Sequence, residues 1–163
     1  MKKNYLLTPG PTPLPPEICE SLSRPIIHHR TPQFQAILKE AYEGLKYVFQ
    51  TKNEVFILAS SGTGGMESAV INFLSAGDTV ITVEAGKFGE RWTEICQAYG
   101  INCEVIKVEW GKAVNPKDIA AKLKAAQGKI KAVFTSLCET STGVVTDIQA
   151  IGEVVKATEA ILV

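Results

Sequence analysis

The sequence predicts an α/β protein built on a parallel sheet, and two observations carry that prediction. Short, almost continuously apolar runs recur along the chain at residues 55–59, 79–83, 103–108, 130–135 and 160–163. Segments with helical periodicity separate them. Strands buried on both faces read as continuous apolar runs, and alternation with helices is how a chain returns to start the next parallel strand. The expected architecture is a sheet with helices on both faces. Its ligands would sit beyond the carboxyl ends of the strands.

The elements follow in order. Residues 4–32 hold most of the prolines, among them Pro9, Pro11, Pro13, Pro15 and Pro16. Proline removes a backbone donor and disfavours helix at the residue before it. An extended arm is therefore expected over residues 1–32, with at most a short helix near 17–23, followed by the α/β body over 33–163. Phe34, Ile37, Leu38, Ala41, Leu45, Val48 and Phe49 mark one face of a long helix. Met66, Ala69, Val70, Phe73 and Leu74 do the same for a second, and Trp92, Ile95, Cys96 and Tyr99 for a third, which Gly100 would stop. Asn115-Pro116 is a capping residue followed by proline at the first helical position, leading to Ile119 and Leu123. Asp147 can cap a last helix whose apolar face holds Ile148, Ile151, Val154 and Val155. The run at 160–163 reads as the opening of a buried strand, so the chain is expected to be a piece of something longer.

Composition narrows the function. Seventeen basic residues balance seventeen acidic ones in 163 residues. That balance argues against an electrostatic footprint for nucleic acid or an acidic membrane surface. No apolar span approaches 18 residues, and the first five residues lead into prolines instead of a signal-peptide core. Cys19, Cys96, Cys103 and Cys138 show no CxxC spacing. Buried free thiols of a cytoplasmic protein are the expectation, with no metal site and no disulfide.

The most informative stretch is VFILASSGTGGME, residues 55–67. A β-type run ends in small polar residues and a helix begins. The first N–H groups of a helix lack internal partners and lie at the positive end of its dipole. Glycines admit a phosphate to the backbone, and Ser60, Ser61 and Thr63 offer hydroxyls. The same composition also suits an ordinary βα turn that needs small residues for close packing. Three familiar motifs fail here. The Walker pattern lacks its lysine, since Gly64-Gly65 is followed by Met66-Glu67. The dinucleotide fingerprint meets Glu67 where it needs glycine. A nucleophile elbow would need glycines two places either side of Ser61, where Ala59 and Thr63 stand. A phosphate cofactor held by hydroxyls and backbone fits what is left.

With these pieces in place the chain resembles the class V aminotransferases of pyridoxal-phosphate fold type I, in particular the alanine–glyoxylate and serine–pyruvate branch. The resemblance runs over essentially the whole chain. It is carried by LLTPGPTPLPPEI (residues 6–18), HRTPQF (29–34), GLKYVFQTKN (44–53), SSGTGGMESAV (60–70), GKFGERW (86–92) and ETSTGVV (139–145). It implies the three-layer αβα large domain of that fold type, truncated before the strands that bear the lysine. It also implies pyridoxal 5'-phosphate as cofactor and a homodimer with the arm around Gly10 near the subunit interface. In the family, residues matching Ser61, Gly62 and Thr63 hold the cofactor phosphate. The residue matching Phe88 stacks on the pyridine ring, and the one matching Thr140 reaches the phenolic oxygen. An ordinary core phenylalanine and a turn threonine are the plainer readings of those last two. His29 and Arg30, being adjacent, cannot share one strand face, so at least one is expected to be structural.

The resemblance also identifies what this stretch does not contain. The aspartate that pairs with the pyridine nitrogen, the lysine that holds the cofactor covalently and the arginine that grips the substrate carboxylate all fall later in the family's sequence. Lys87, Lys107, Lys112 and Lys131 do not stand in the lysine's context. No catalytic residue is therefore expected within these 163 residues, and the piece alone is expected to be inactive. The implied reaction moves an amino group between a small amino acid, such as alanine or serine, and a 2-oxo acid, such as glyoxylate or pyruvate. Two other readings remain: a lyase or desulfurase of the same fold, and a non-catalytic binding or assembly domain. The resemblance further implies that the run at 55–59 lies at a sheet edge without a parallel neighbour inside residues 1–163.

Overall fold

A computed structural model describes residues 5–163; residues 1–4 of the expected arm lie outside the described residues. The contacts divide the chain into two units, Met1–Leu58 and Ala59–Val163.

The first unit holds α1 (Pro16–Ser23) and α2 (Pro32–Val48). Both start where the sequence dictates: each has a proline in its first turn, where a missing N–H costs nothing. Thr31 caps α2, its hydroxyl accepting the N–H of Phe34 at 3.4 Å. Before α1 the chain is irregular and turns at Gly10, with a cis peptide to Pro11 and the Thr8 hydroxyl donating to the Pro11 carbonyl. Neither helix contains a buried residue.

The expected strand at 55–59 is not formed. Residues 55–58 belong to neither sheet, and Phe56, Ile57 and Leu58 are exposed. The reason is that a strand exists only with a partner. An apolar run supplies β propensity, but its backbone groups need a ladder, and none of the described strands pairs with it.

In the second unit the parallel sheet has order β2-β1-β3-β6, made of β1 (Thr79–Glu84), β2 (Asn102–Lys107), β3 (Ile130–Phe134) and β6 (Ile161–Leu162). All three pairings are parallel. The sheet has two filled faces, because successive side chains of a strand point to opposite sides. Val80, Ala132 and Phe134 pack with Val70 of α3 (Gly62–Phe73) and with Trp92, Ile95 and Cys96 of α4 (Lys87–Ala98). Ile81, Val83 and Val133 pack with Ile119 and Leu123 of α5 (Pro116–Ala125) and with Ile151 and Val155 of α6 (Ile148–Lys156). One irregularity adjusts the pattern. Thr79 pairs with Ile130 but Val80 pairs with Ala132, so Lys131 is an extra residue. That bulge lets Ile130 and Val133, three apart, face the same side.

The helix signals hold as well. The Asn115 side chain accepts the Lys117 N–H at 3.0 Å, and the Asp147 carboxylate accepts that of Ala150 at 2.9 Å. Gly100 has φ of 72° and ends α4, with the Ile101 N–H returning to the Cys96 carbonyl. On α3 the expected apolar face is only partly covered: Val70 is buried, whereas Phe73 is exposed. A short antiparallel pair, β4 (Cys138–Glu139) and β5 (Val144–Val145), folds residues 140–143 into a turn that the apolar pattern did not signal.

Candidate active site

The site residues cluster where parallel strands end. The turn after β1 leads straight into α4 and carries Phe88. The segment after β3 leads into the β4–β5 turn and carries Thr140. Thr63 joins the same edge through Arg91 of α4, whose Nη1 donates to the Thr63 hydroxyl at 3.4 Å.

Ser61 is the N-cap of α3, in extended backbone, and its side chain makes no capping hydrogen bond. The N–H of Gly64 turns back to the Ser61 carbonyl at 3.0 Å. Gly62 and Thr63, as the first helical residues, have N–H groups without a carbonyl one turn earlier to receive them. No acidic residue stands in this first turn. A β-carbon at Gly64 would collide with Ser60, at 2.7 Å from its Cβ, so glycine is required there for packing. A β-carbon at Gly62 would meet nothing within 4 Å. The turn itself bears hydroxyls and no carboxylate, which is what a phosphate group needs from a helix N-terminus; the nearby Arg91 is ion-paired with Glu94 at 2.9 Å.

The N-terminus of α4 is arranged differently: it already holds an anion. Glu139 is only 2% exposed. Its Oε2 accepts the Gly89 N–H at 3.0 Å, and its Oε1 accepts the N–H of Phe88 at 3.3 Å, the N–H of Ser141 at 3.2 Å and the Ser141 hydroxyl at 2.6 Å. Burial alone would raise the Glu139 carboxyl. The Ser141 hydroxyl and the N–H groups of Gly89, Ser141 and Phe88 outweigh it and hold the group below the ordinary carboxylate range. Two helix N-termini thus open on one edge of the sheet, and the protein's own carboxylate fills that of α4. The first turn of α3 has neither a side-chain cap from Ser61 nor an acidic residue.

Phe88 is half exposed, with its ring outside both core clusters, so the plainer reading of a core phenylalanine does not hold. Thr140 is an exposed turn residue. In the first unit Gly10 lies in the irregular arm. His28 and His29 stack at 4.5 Å, and the Arg30 N–H donates to His28 Nδ1 at 3.1 Å, which makes 28–30 a self-contained turn. Sequence reasoning missed Glu139 as a functional candidate. A signal was present: an acidic residue directly follows an apolar run, with hydroxyls at Thr140, Ser141 and Thr142 and no basic residue nearby to pair with it. Among the described residues no group of three or more His, Cys, Asp or Glu side chains could hold a metal ion, and no helix is long and apolar enough to cross a membrane.

This arrangement, a parallel sheet with helices packed on both faces, is that of the pyridoxal-dependent type I fold. The chain belongs to the class V aminotransferase family: the family "Aminotransferase class-V" matches residues 4–163. Among curated relatives it is 49% identical to a protein named soluble hydrogenase, small subunit, of Synechococcus sp. (strain PCC 6716), over 95% of this chain and 41% of that one. It is 38% identical to an L-aspartate–glyoxylate aminotransferase of Paracoccus denitrificans, over 91% of this chain and 38% of the relative. Among solved structures, ureidoglycine–glyoxylate aminotransferase of Bacillus subtilis superposes with a TM-score of 0.87 at 32% identity, covering 95% of this chain and 40% of that one. The chain thus spans about 40% of the length of the relatives it matches.

Proposed function

We propose that the full-length protein is a pyridoxal-phosphate-dependent aminotransferase that passes the amino group of a small amino acid to glyoxylate or a similar 2-oxo acid. This chain supplies the phosphate-binding half of its site. When bound, the cofactor acts as an electron sink for the bond broken at the amino acid's α-carbon. The Gly62 and Thr63 N–H groups and the Ser61 and Thr63 hydroxyls would hold the phosphate dianion, with Arg91, itself ion-paired with Glu94 at 2.9 Å, donating to the Thr63 hydroxyl. Phe88 would present its ring face to the pyridine, and the Thr140 hydroxyl would donate to the phenolic oxygen. The first turn of α3, with its unpaired N–H groups, its hydroxyls and no acidic residue, is the observation that carries this reading, and the named activities of the glyoxylate aminotransferase relatives support the choice of acceptor.

A cytoplasmic homodimer is part of the proposal. Four free thiols support the compartment. An apolar hollow of about 490 Å³ between Leu22, Ile26, Ile27, Phe34 and Ile37, open in the single chain, supports a partner subunit. The test is purification of the full-length protein, the visible absorption of copurified cofactor, and amino transfer from serine, alanine or aspartate to glyoxylate. Absence of both cofactor and transfer overturns the reading. The name of the 49%-identical relative favours a second one, a non-catalytic subunit of a hydrogenase assembly. Copurification with a hydrogen-consuming partner, without amino transfer, would select it.

A further inference from the structure

We propose that Glu139 is a positioning residue whose buried carboxylate clamps the first turn of α4 to the β4–β5 turn, fixing Phe88 and Thr140 relative to each other. What the two residues are held against rests on the cofactor reading above; the clamp itself rests on geometry.

Phe88 and Thr140 are 52 positions apart and sit on separate loops. The main-chain N–H of Phe88 ends on Glu139 Oε1, and that of its neighbour Gly89 on Oε2. On the other side, Ser141 gives both its N–H and its hydroxyl hydrogen to Oε1. The Ser141 oxygen then receives the Lys87 N–H at 3.0 Å. Three consecutive N–H groups at the start of α4 thus terminate on the residues that flank Thr140 on either side.

Among the described residues the carboxylate has no cationic partner, and the neighbouring Lys87 ammonium is engaged by Glu90 and Glu94. Its charge is balanced by N–H donors and by the helix dipole. Space has been cleared for it: a β-carbon at Gly86 would fall 2.6 Å from the Glu139 carboxyl carbon. Every group facing the two oxygens is a donor, so the site needs an acceptor on both. Glutamine has the same shape but offers an N–H₂ where one oxygen stands, which would face a donor.

The test compares wild-type full-length protein with Glu139→Gln, Ser141→Ala and Thr63→Ala. Three quantities are read: cofactor bound per chain, circular dichroism of the bound ring per cofactor, and amide exchange of Phe88 and Gly89. Glu139→Gln should keep its cofactor, because the phosphate turn is untouched, yet lose ring dichroism. Its two amides should exchange roughly tenfold faster or more, as expected for a lost charge-assisted hydrogen bond. Thr63→Ala should show the reverse, with lower occupancy and unchanged exchange at α4.

Unchanged ring dichroism in a folded Glu139→Gln protein overturns the positioning role, even if exchange rises, since that result describes a purely structural plug. If Glu139→Gln does not fold, Ser141→Ala decides: a weaker change in the same direction supports the proposal, and no change overturns it. A wild-type protein that binds no cofactor overturns the function proposed above, and with it what the clamp serves. The exchange of Phe88 and Gly89 then still reports whether the clamp exists.

Discussion

Glycine-to-alanine substitution should be costly at one helix start and nearly neutral at another, and the contrast tests the packing described above. At Gly89 a β-carbon would lie 3.0 Å from Glu84 Cα and 3.3 Å from the Val83 carbonyl carbon, with the Val83 oxygen closer still. All three are backbone atoms of β1, a strand paired on both sides, so they cannot give way. The helix must move instead. Retreat by a fraction of an ångström loosens Trp92, Ile95 and Cys96 against the sheet and lengthens the 3.0 Å bond from Gly89 to Glu139. Overpacking of this kind costs about 1–3 kcal/mol, and loss of a hydrogen bond to a charged group about 1.5–3 kcal/mol. The helix-propensity gain of alanine returns only about 1 kcal/mol. Gly89→Ala should therefore destabilise by about 2–5 kcal/mol. Gly62→Ala meets open space and should stay within about 0.5 kcal/mol of wild type. Urea unfolding followed by tryptophan fluorescence reads both, because Trp92 lies in the affected core. Equal midpoints for the two variants would refute the close approach of α4 to β1.

Thr63→Ala in the full-length protein should weaken cofactor retention by about 1.5–3 kcal/mol, the range for one hydrogen bond to a charged group, measured as cofactor lost on dialysis. Phe134→Ala removes a fully buried ring that packs on Trp92 with centroids 4.8 Å apart, and should cost about 3–5 kcal/mol in the same unfolding assay. The pH dependence has a definite sign: the Glu139 carboxyl is held below its ordinary value in the fold. Its contribution is complete above the unfolded value of about 4.3 and is lost as pH falls through the folded one. The stability difference between wild type and Glu139→Gln should therefore be flat from neutral pH down to that value and shrink below it, and a gap that widened in acid would refute the hydrogen-bonded carboxylate. Burial, then the neighbouring Cys103, pushes the Cys96 thiol up to about 12. Alkylation at mildly basic pH should label the exposed Cys19 and Cys138 and spare Cys96 until the protein unfolds.

Local chemistry was enough to place most elements. Asn115-Pro116, Asp147 and Gly100 act through their own side chains or backbone within a few residues, so their helix boundaries were legible without any knowledge of the fold. Apolar runs likewise identified the four parallel strands, most clearly the central β1 and β3, where burial on both faces leaves little polar alternation. The helix start at residues 61–63 could be read for the same reason: unpaired N–H groups belong to any helix start, and the small residues around them are visible in one dimension. Tertiary structure decided the rest. The run at 55–59 has the composition of a strand, but pairing is a property of two segments, and the second is not among the described residues. The register shift at Lys131 depends on which side Ile130 must face, which only the packed sheet determines. That the N-terminus of α4 is satisfied from within the protein was shown only by Glu139, a residue 50 positions from the amide of Gly89 that it accepts. A long-range hydrogen bond leaves no periodicity in a sequence, so the group that orders this edge of the sheet became visible only once the chain had folded.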